Sequence, residues 1–147
     1  MSPAATLTRR AANETDLPFL LALRIAAMGP HMAAAGHHPT DAEQQARVLS
    51  RFDSAELLLV DGGPVGLLKL LRDPGCWRLQ QIQLMPAFQG RGFGGALIAE
   101  LLAEARAAGV DMELSVLTRN PARRLYERLG FAVVSQDEHG FNMRASA

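Results

Sequence analysis

A glycine-rich segment that follows a short apolar strand is the part of this sequence best suited to chemistry. The strand runs into Met85-Pro86, and residues 89–95, Gln-Gly-Arg-Gly-Phe-Gly-Gly, then open a long amphipathic helix. Glycines have no side chains, so successive backbone N–H groups can converge on an anion, and the N-terminal end of the following helix adds positive potential. The segment therefore predicts a site for the phosphate groups of a cofactor.

The same glycines allow a second interpretation, because Gly90, Gly92 and Gly95 satisfy the dinucleotide-binding pattern G-x-G-x-x-G. In a dinucleotide fold the first glycine follows its strand directly, whereas residues 86–89 intervene here. The next strand should close with an acidic residue, but residues 117–119 are Leu-Thr-Arg. An NADP-binding oxidoreductase is therefore only the less favoured alternative.

The elements that must position this segment follow from hydrophobic periodicity and turn residues. Strands are predicted at 7–11, 57–60, 65–71, 112–117, 131–135 and 140–145, and a further strand ends at residue 84. Helices are predicted from a cap at 15–16 to a stop at 29–30, from 40 to about 52, from the glycine segment to 109, and from 120 to 130, with 31–39 irregular. The strand, helix and strand around the glycine segment form a right-handed crossover, which makes the strands ending at Leu84 and Leu117 parallel.

Two blocks of the sequence together resemble the GNAT acetyltransferase superfamily. Residues 84–94 are similar to its strand end and its Q/R-x-x-G-x-G/A acetyl-CoA motif, and residues 120–131 are similar to its later asparagine, tyrosine and Gly-Phe signature. The order of elements agrees nearly end to end. The resemblance implies one N-acetyltransferase domain over 1–147, with an α/β fold whose mixed sheet is flanked by helices in the order β-α-α-β-β-β-α-β-α-β-β.

The resemblance also implies acetyl-CoA as co-substrate and assigns residues to it. Pantetheine would bond to the backbone of residues 82–84 and to Asn120, and the pyrophosphate would lie on the amides of 89–95 with a charge-assisted contact from Arg91. Phe93 would pack beneath the loop. The implied cofactor-binding residues are Ile82, Gln83, Leu84, Gln89, Gly90, Arg91, Gly92, Phe93, Gly94, Gly95 and Asn120.

For the reaction, the resemblance implies direct transfer of acetyl to a primary amine in a ternary complex, with Tyr126 as the acid that protonates the departing thiolate. By spacing alone, Tyr126 is a core residue of its helix. Many members place a glutamate on one of the central strands as a base, but here the first central strand carries Gln80, Gln81 and Gln83, and the position five before Asn120 is Ser115. Glu113, His31, His139 and water are the candidates for that base, and a non-catalytic acyl-CoA sensor is the alternative function.

Composition narrows the range of partners. Fifteen basic and fifteen acidic side chains give zero formal net charge, so no global field attracts nucleic acid or an anionic membrane. No apolar stretch reaches membrane-spanning length and no targeting segment is evident, which predicts a cytoplasmic protein. Cys76 is predicted to be a buried small hydrophobe, and His37-His38 lack metal-ligand spacing, so no metal is expected. The acceptor is predicted to be a small-molecule or peptide amine, and the edge of the last hairpin allows a homodimer.

Overall fold

The structure, a computed structural model, describes residues 7–34, 36, 38–118 and 122–147, with the side chains of 28–32 and 34 left out. Within these ranges the elements follow the predicted order. They are β1 Leu7–Ala11, α1 Leu17–Ala34, α2 Asp41–Leu49, β2 Ala55–Val60, β3 Gly63–Asp73, β4 Cys76–Leu84, α3 Phe93–Ala107, β5 Asp111–Leu117, α4 Ala122–Leu129, β6 Ala132–Gln136 and β7 Gly140–Ala145. No helix among the described residues is long and apolar enough to cross a bilayer.

The strands form one mixed sheet in the order β1-β2-β3-β4-β5-β7-β6. The pair β4 and β5 is parallel, from Cys76 opposite Asp111 to Leu79 opposite Leu114, while β1 with β2, β2 with β3, β5 with β7 and β6 with β7 are antiparallel. The pair confirms that the strands on either side of the glycine segment and its helix are parallel, as the sequence predicted. The predicted mixed α/β fold class is confirmed as well.

Contacts divide the chain into two compact units. The first consists of Met1–Lys69 and Gln81–Phe93, and the second of Leu70–Gln80 and Gly94–Ala147. The first unit contains the end of β4 and most of the glycine segment, and the second contains α3 beyond its first residue, β5, α4 and the last hairpin. The single domain predicted from the sequence remains a prediction.

The first unit is built around apolar side chains of α1, α2, β2 and β3, in a cluster that contains Leu20, Leu23, Val48, Ala55, Leu57 and Leu67. Helix α2 begins as predicted, because the Thr40 hydroxyl accepts from the backbone N–H of Glu43 while the Glu43 carboxylate accepts from that of Thr40. It ends at Leu49 rather than near residue 52. Asp61 and Gly62 both have positive φ, 53° and 80°, as a tight two-residue hairpin turn requires.

Helix α1 differs from the prediction at both ends. The Thr15-Asp16 cap was wrong: Asn13 is the cap, its side chain accepting from the Thr15 N–H, and a 3-10 turn at Glu14–Asp16 precedes the helix. The stop at Gly29-Pro30 was also wrong, since α1 continues to Ala34 and takes in part of the segment predicted as irregular. Proline lacks one N–H donor and disfavours a helix interior, but the loss of a single bond does not prevent the helix from continuing.

Lys69 on β3 is an unusual core residue, since its side chain is only 2% exposed. Its Nζ donates to the backbone carbonyls of Arg47 at 3.2 Å, Val48 at 2.9 Å and Ser50 at 2.5 Å, at the C-terminal end of α2. A cation at this end of a helix is favourable, and all three ammonium protons have acceptors. Burial lowers the pKa of Lys69, and the nearby charge of Arg24 lowers it further.

An Arg10–Asp16 pair joins β1 to the turn before α1 and makes stability depend on pH. The Arg10 nitrogens Nη1 and Nη2 each donate to one Asp16 carboxylate oxygen at 2.8 Å, and the Asn13 N–H donates to Oδ2 at 2.9 Å. The hydrogen bond from Arg10, joined by that from Asn13, holds the pKa of Asp16 below its usual value. The pair therefore stabilises the fold above the pKa of an unfolded aspartate, and this stabilisation is lost as pH falls through the native pKa.

We expect Asp16→Asn to lower Tm at pH 7. The Tm difference between the variant and the wild type should become smaller as pH falls from 5 to 3. The difference narrows because the wild-type carboxylate becomes protonated and loses the charge that the substitution has already removed. Thermal unfolding at pH 7, 5 and 3 measures this, with the exposed Asp73→Asn as the matched control. A Tm difference that stays constant across this range would contradict the assignment.

The second unit buries one face of α3, with Leu97, Ile98, Leu101, Leu102 and Ala105 almost fully enclosed. Strand β5 alternates, so that Met112, Leu114 and Val116 are buried while Ser115 and Leu117 are exposed. Gly109 ends the α3 segment with φ 72°, as the sequence predicted. One face of β5 is thereby left free for polar side chains.

Candidate functional site

The glycine segment is tied to the end of β4 by local hydrogen bonds within the first unit. Phe88 N–H donates to the Met85 carbonyl at 2.8 Å and closes a 3-10 turn at Pro86–Phe88. The Gln89 side chain reaches back, its Nε2 donating to the Leu84 carbonyl at 3.0 Å. The loop therefore begins from a fixed point on the sheet.

The backbone after Gln89 enters the left-handed region at two glycines. Gly90 and Gly92 have φ of 71° and 84°, in the left-handed region where other residues are strained. A Cβ built on either glycine would meet nothing within 4 Å, so the loop faces open space. Helix α3 begins at Phe93, and its first N–H groups have no partners within the helix. The predicted phosphate-binding role of this segment stays a prediction.

Arg91 lies between these two glycines and is exposed. Its guanidinium carbon lies over two aromatic rings, 5.2 Å from the centroid of Phe88 and 5.3 Å from that of Phe93. Among the described residues it has neither a hydrogen bond nor an ion pair. Its positive charge is therefore available to a bound anion.

The remaining predicted residues of the first unit, Ile82, Gln83 and Leu84, lie in the last part of β4. Gln83 is buried at 9% exposure, and the other two are half-buried. The ladder between β4 and β5 ends at Leu79 opposite Leu114, before this stretch begins. On the β3 side the backbones approach closely, since a Cβ on Gly66 would lie 2.3 Å from the Gln83 carbonyl oxygen.

In the second unit, Gly94 and Gly95 differ in what surrounds them. A Cβ on Gly94 would meet nothing within 4 Å, whereas one on Gly95 would lie 3.3 Å from Cδ1 of Leu125. Gly95 thus permits close packing of α3 against α4, beside the residue that precedes Tyr126. This packing explains a glycine at position 95 without any ligand.

Tyr126 lies on α4 and is half-buried. Its ring packs edge-on against Phe131, with centroids 6.0 Å apart and an interplanar angle of 67°. Burial raises the pKa of the Tyr126 hydroxyl above 10.0, so the group is protonated at neutral pH. Among the described residues the hydroxyl has no hydrogen-bond partner. The side chain therefore combines a packed ring with a protonated hydroxyl, and its role as the acid stays a prediction.

The candidate bases are in different situations. Glu113 is held by Arg144 and also lies 3.9 Å from Arg78, so its carboxylate is already engaged. His139 is 79% exposed, with Nε2 3.3 Å from a Glu138 oxygen. Asn120 and the side chain of His31 lie outside what the structure describes. Neither described candidate has the position and freedom of a clear general base.

A chain of hydrogen bonds on the exposed face of β5 was missed by sequence reasoning. Arg78 Nη2 donates to Ser115 Oγ at 3.0 Å, Ser115 Oγ donates to Asn142 Oδ1 at 2.7 Å, and Asn142 Nδ2 donates to Ser135 Oγ at 2.8 Å. The Ser115 hydroxyl therefore already accepts one bond and donates another. Alternation along β5 and β7 could have placed Ser115 and Asn142 on one face, but only the strand register makes them neighbours.

The same part of the second unit contains a small cavity of about 120 Å³. It is lined by Ser115, Val116, Leu117, Asp137, His139, Gly140, Phe141 and Asn142.

Cys76 is half-buried rather than fully buried, and burial raises the pKa of its thiol, which keeps it protonated at neutral pH. Within the described ranges, no three His, Cys, Asp or Glu side chains converge as a metal site.

Comparison with known proteins identifies the family to which this chain is similar. Residues 21–131 match the model of the Acetyltransferase (GNAT) family. A segment of 54 residues is 41% identical to the [ribosomal protein bS18]-alanine N-acetyltransferase of Haemophilus influenzae. That match covers 36% of this chain and 37% of the relative, well under two thirds of the length of either.

Solved structures agree in fold over nearly the whole chain. The PaiA N-acetyltransferase of Thermoplasma acidophilum, solved in complex with coenzyme A, superposes with a TM-score of 0.76 at 17% identity, covering 97% of this chain and 99% of that one. An acetyltransferase from Thermus thermophilus gives a TM-score of 0.77 at 23% identity, covering 97% of both chains. With the family match over residues 21–131, the chain belongs to the GNAT acetyltransferase family.

Proposed function

We propose that this protein transfers acetyl from acetyl-CoA to a primary amine by direct attack. The observation that carries the proposal is the loop at residues 89–93: two glycines with positive φ face open space beside an arginine without an anionic partner among the described residues, at the start of α3. Such an arrangement suits a diphosphate, the anionic group of CoA. Coenzyme A in the complex of the Thermoplasma relative supports the same choice.

The cofactor-binding residues that we propose are those that the sequence suggested. The amides of residues 89–95 and the Arg91 guanidinium bind the pyrophosphate, and the backbone of residues 82–84 together with Asn120 binds the pantetheine amides. The end of the β4–β5 ladder at Leu79 supports this role for residues 82–84, because β4 continues beyond its last pair with β5.

In the proposed reaction, the amine nitrogen attacks the thioester carbonyl carbon and the carbon–sulfur bond breaks. Tyr126 gives its hydroxyl proton to the departing sulfur, which a phenol kept protonated by burial can do at neutral pH. The amine loses its proton to water or to a base. The engaged state of Glu113 favours water for this step over a direct transfer to that carboxylate.

The acceptor is proposed as a small-molecule or peptide amine. The partial similarity to an enzyme named for an alanine of ribosomal protein bS18 makes a peptide α-amine the first class to test. Such an amine has a pKa of about 8, against about 10.4 for lysine, so far more of it is free base at neutral pH.

A homodimer is also proposed, because β6 lies at the edge of the sheet with all five residues exposed.

Thermal unfolding with acetyl-CoA, CoA or NADPH tests cofactor choice first. A ligand at about a hundredfold its Kd stabilises the native state by about 2.7 kcal/mol, a shift of several degrees in Tm for a domain of this size. We expect both CoA species to raise Tm and NADPH to leave it unchanged. No shift with either CoA species would refute the proposal, and a shift with NADPH alone would favour an oxidoreductase.

Release of free CoA thiol then tests catalysis. We expect release when acetyl-CoA is mixed with a peptide bearing a free α-amine, and a lower rate with a peptide whose only amine is a lysine side chain. CoA binding without thiol release on any amine would instead identify a non-catalytic acyl-CoA sensor.

A further inference from the structure

Phe88, Arg91 and Phe93 form an arrangement that the glycine motif itself does not require, here named the Arg91 clamp. The guanidinium carbon lies over both rings, at 5.2 Å from one centroid and 5.3 Å from the other. The two rings are 6.1 Å apart and inclined at 49°. The cation is therefore in contact with two aromatic faces at once.

Contact with a ring face leaves the hydrogen-bonding capacity of an arginine unused. The ring quadrupole attracts the guanidinium charge, and a guanidinium has five N–H donors, so the contact with the rings leaves donors for other acceptors. Among the described residues, no carboxylate or carbonyl accepts from Arg91. The donors can thus meet phosphate oxygens while the rings still hold the cation.

Both rings are attached to fixed backbone, whereas Arg91 is not. Phe88 ends the 3-10 turn that closes on Met85, and Phe93 is the first residue of α3. Arg91 lies in the loop between Gly90 and Gly92, where its long side chain would otherwise sample many rotamers. Restricting those rotamers before binding reduces the entropy lost when a ligand binds.

We infer that Phe88 and Phe93 are positioning residues that hold Arg91 ready for the diphosphate of a CoA-type ligand. The inference rests on the proposed function, in which Arg91 makes the diphosphate contact. It adds a role for Phe88, which lies before the glycine motif, and it gives the Phe93 ring a partner on the loop itself.

The test compares two ligands that differ in the diphosphate. Calorimetry gives the Kd of CoA and of pantetheine, which lacks the nucleotide and its diphosphate, for the wild type, Phe88→Leu and Phe88→Tyr. We expect Phe88→Leu to weaken CoA binding about three- to fivefold, as the loss of one exposed cation–π contact predicts. Pantetheine binding should not change, and Phe88→Tyr should restore the wild-type Kd because it keeps the ring.

Two further variants show whether Phe88 acts through Arg91. In an Arg91→Ala background, Phe88→Leu should have no additional effect on the Kd of CoA. Arg91→Lys keeps the charge but loses the planar face, so it should weaken CoA binding even if Phe88→Leu does not fold. Trp77→Leu is the matched control, because Arg72 lies over that ring at the same 5.2 Å and should not matter for CoA.

The outcomes separate this inference from the proposed function. A wild-type protein that binds no CoA would refute the proposed function. If the wild type binds CoA, the inference is overturned by an unchanged Kd in a folded Phe88→Leu protein or, where that variant does not fold, by an unchanged Kd in Arg91→Lys. It is equally overturned if Phe88→Leu weakens pantetheine as much as CoA, or if its effect persists in the Arg91→Ala background.

Discussion

Replacing Tyr126 with phenylalanine is expected to lower kcat about 100-fold while the Kd of acetyl-CoA stays within about twofold of the wild-type value. The substitution removes only the hydroxyl, and the edge-on contact with Phe131 is retained. Because the hydroxyl has no hydrogen-bond partner among the described residues, its loss should leave Tm nearly unchanged. Thiol release and calorimetry on the same preparation measure both quantities.

The pH profile gives a second check on Tyr126. A general acid works only while protonated, and burial raises the pKa of this hydroxyl above 10.0. The wild-type kcat should therefore show no alkaline decline from this group near neutral pH, and any such decline should lie at higher pH than for an ordinary phenol. A Tyr126→Phe enzyme with wild-type kcat would eliminate Tyr126 as the acid, and a large rise in the Kd of acetyl-CoA would make it a binding residue instead.

The largest effect on stability is expected from Gly140→Ala, at about 3 kcal/mol lost from the free energy of unfolding. Gly140 is the first residue of β7 and lies opposite Leu117. A Cβ there would be 2.1 Å from the Val116 carbonyl oxygen and 2.9 Å from Cα of Leu117. Since both atoms belong to the backbone, β5 and β7 would have to separate, and Tm should fall by about 6 to 12 °C.

Gly63→Ala is the matched control for Gly140→Ala. Gly63 is likewise the first residue of a strand, β3, but a Cβ there would lie 3.6 Å from its nearest neighbour, an ordinary contact. Urea unfolding should show a change of at most about 0.5 kcal/mol for the control. Equal effects of the two substitutions would show that the close approach at Gly140 does not determine stability.

Local signals predicted the part of the fold that carries the glycine segment. The strand ending at Leu84, the turn at Gly109 and the parallel strand ending at Leu117 each depend on residues close in sequence, and all three are present. The α1 stop at Gly29-Pro30 failed because a local preference against proline does not determine where a helix ends when its first half is packed in a core.

The side-chain arrangements of the site were harder to predict because they depend on distance in space. Phe88 and Phe93 flank Arg91 in the sequence, yet only the turn geometry shows that both rings contact it. The bond between Ser115 and Asn142 joins residues 27 apart in the sequence and requires the β5–β7 register. The half-buried place of Tyr126 on α4 follows from the helix-face spacing, while its role as the acid stays a prediction.

The burial of Lys69 affects how the protein itself would react with acyl donors. It is the only lysine in the sequence, and the other 14 of the 15 basic side chains are arginines. Arginine stays protonated and is not an amine nucleophile, while the Lys69 ammonium is enclosed and donates its protons to three carbonyls. No lysine is therefore exposed to self-modification, and high concentrations of an activated acetyl compound should leave the cationic side chains of the folded protein intact.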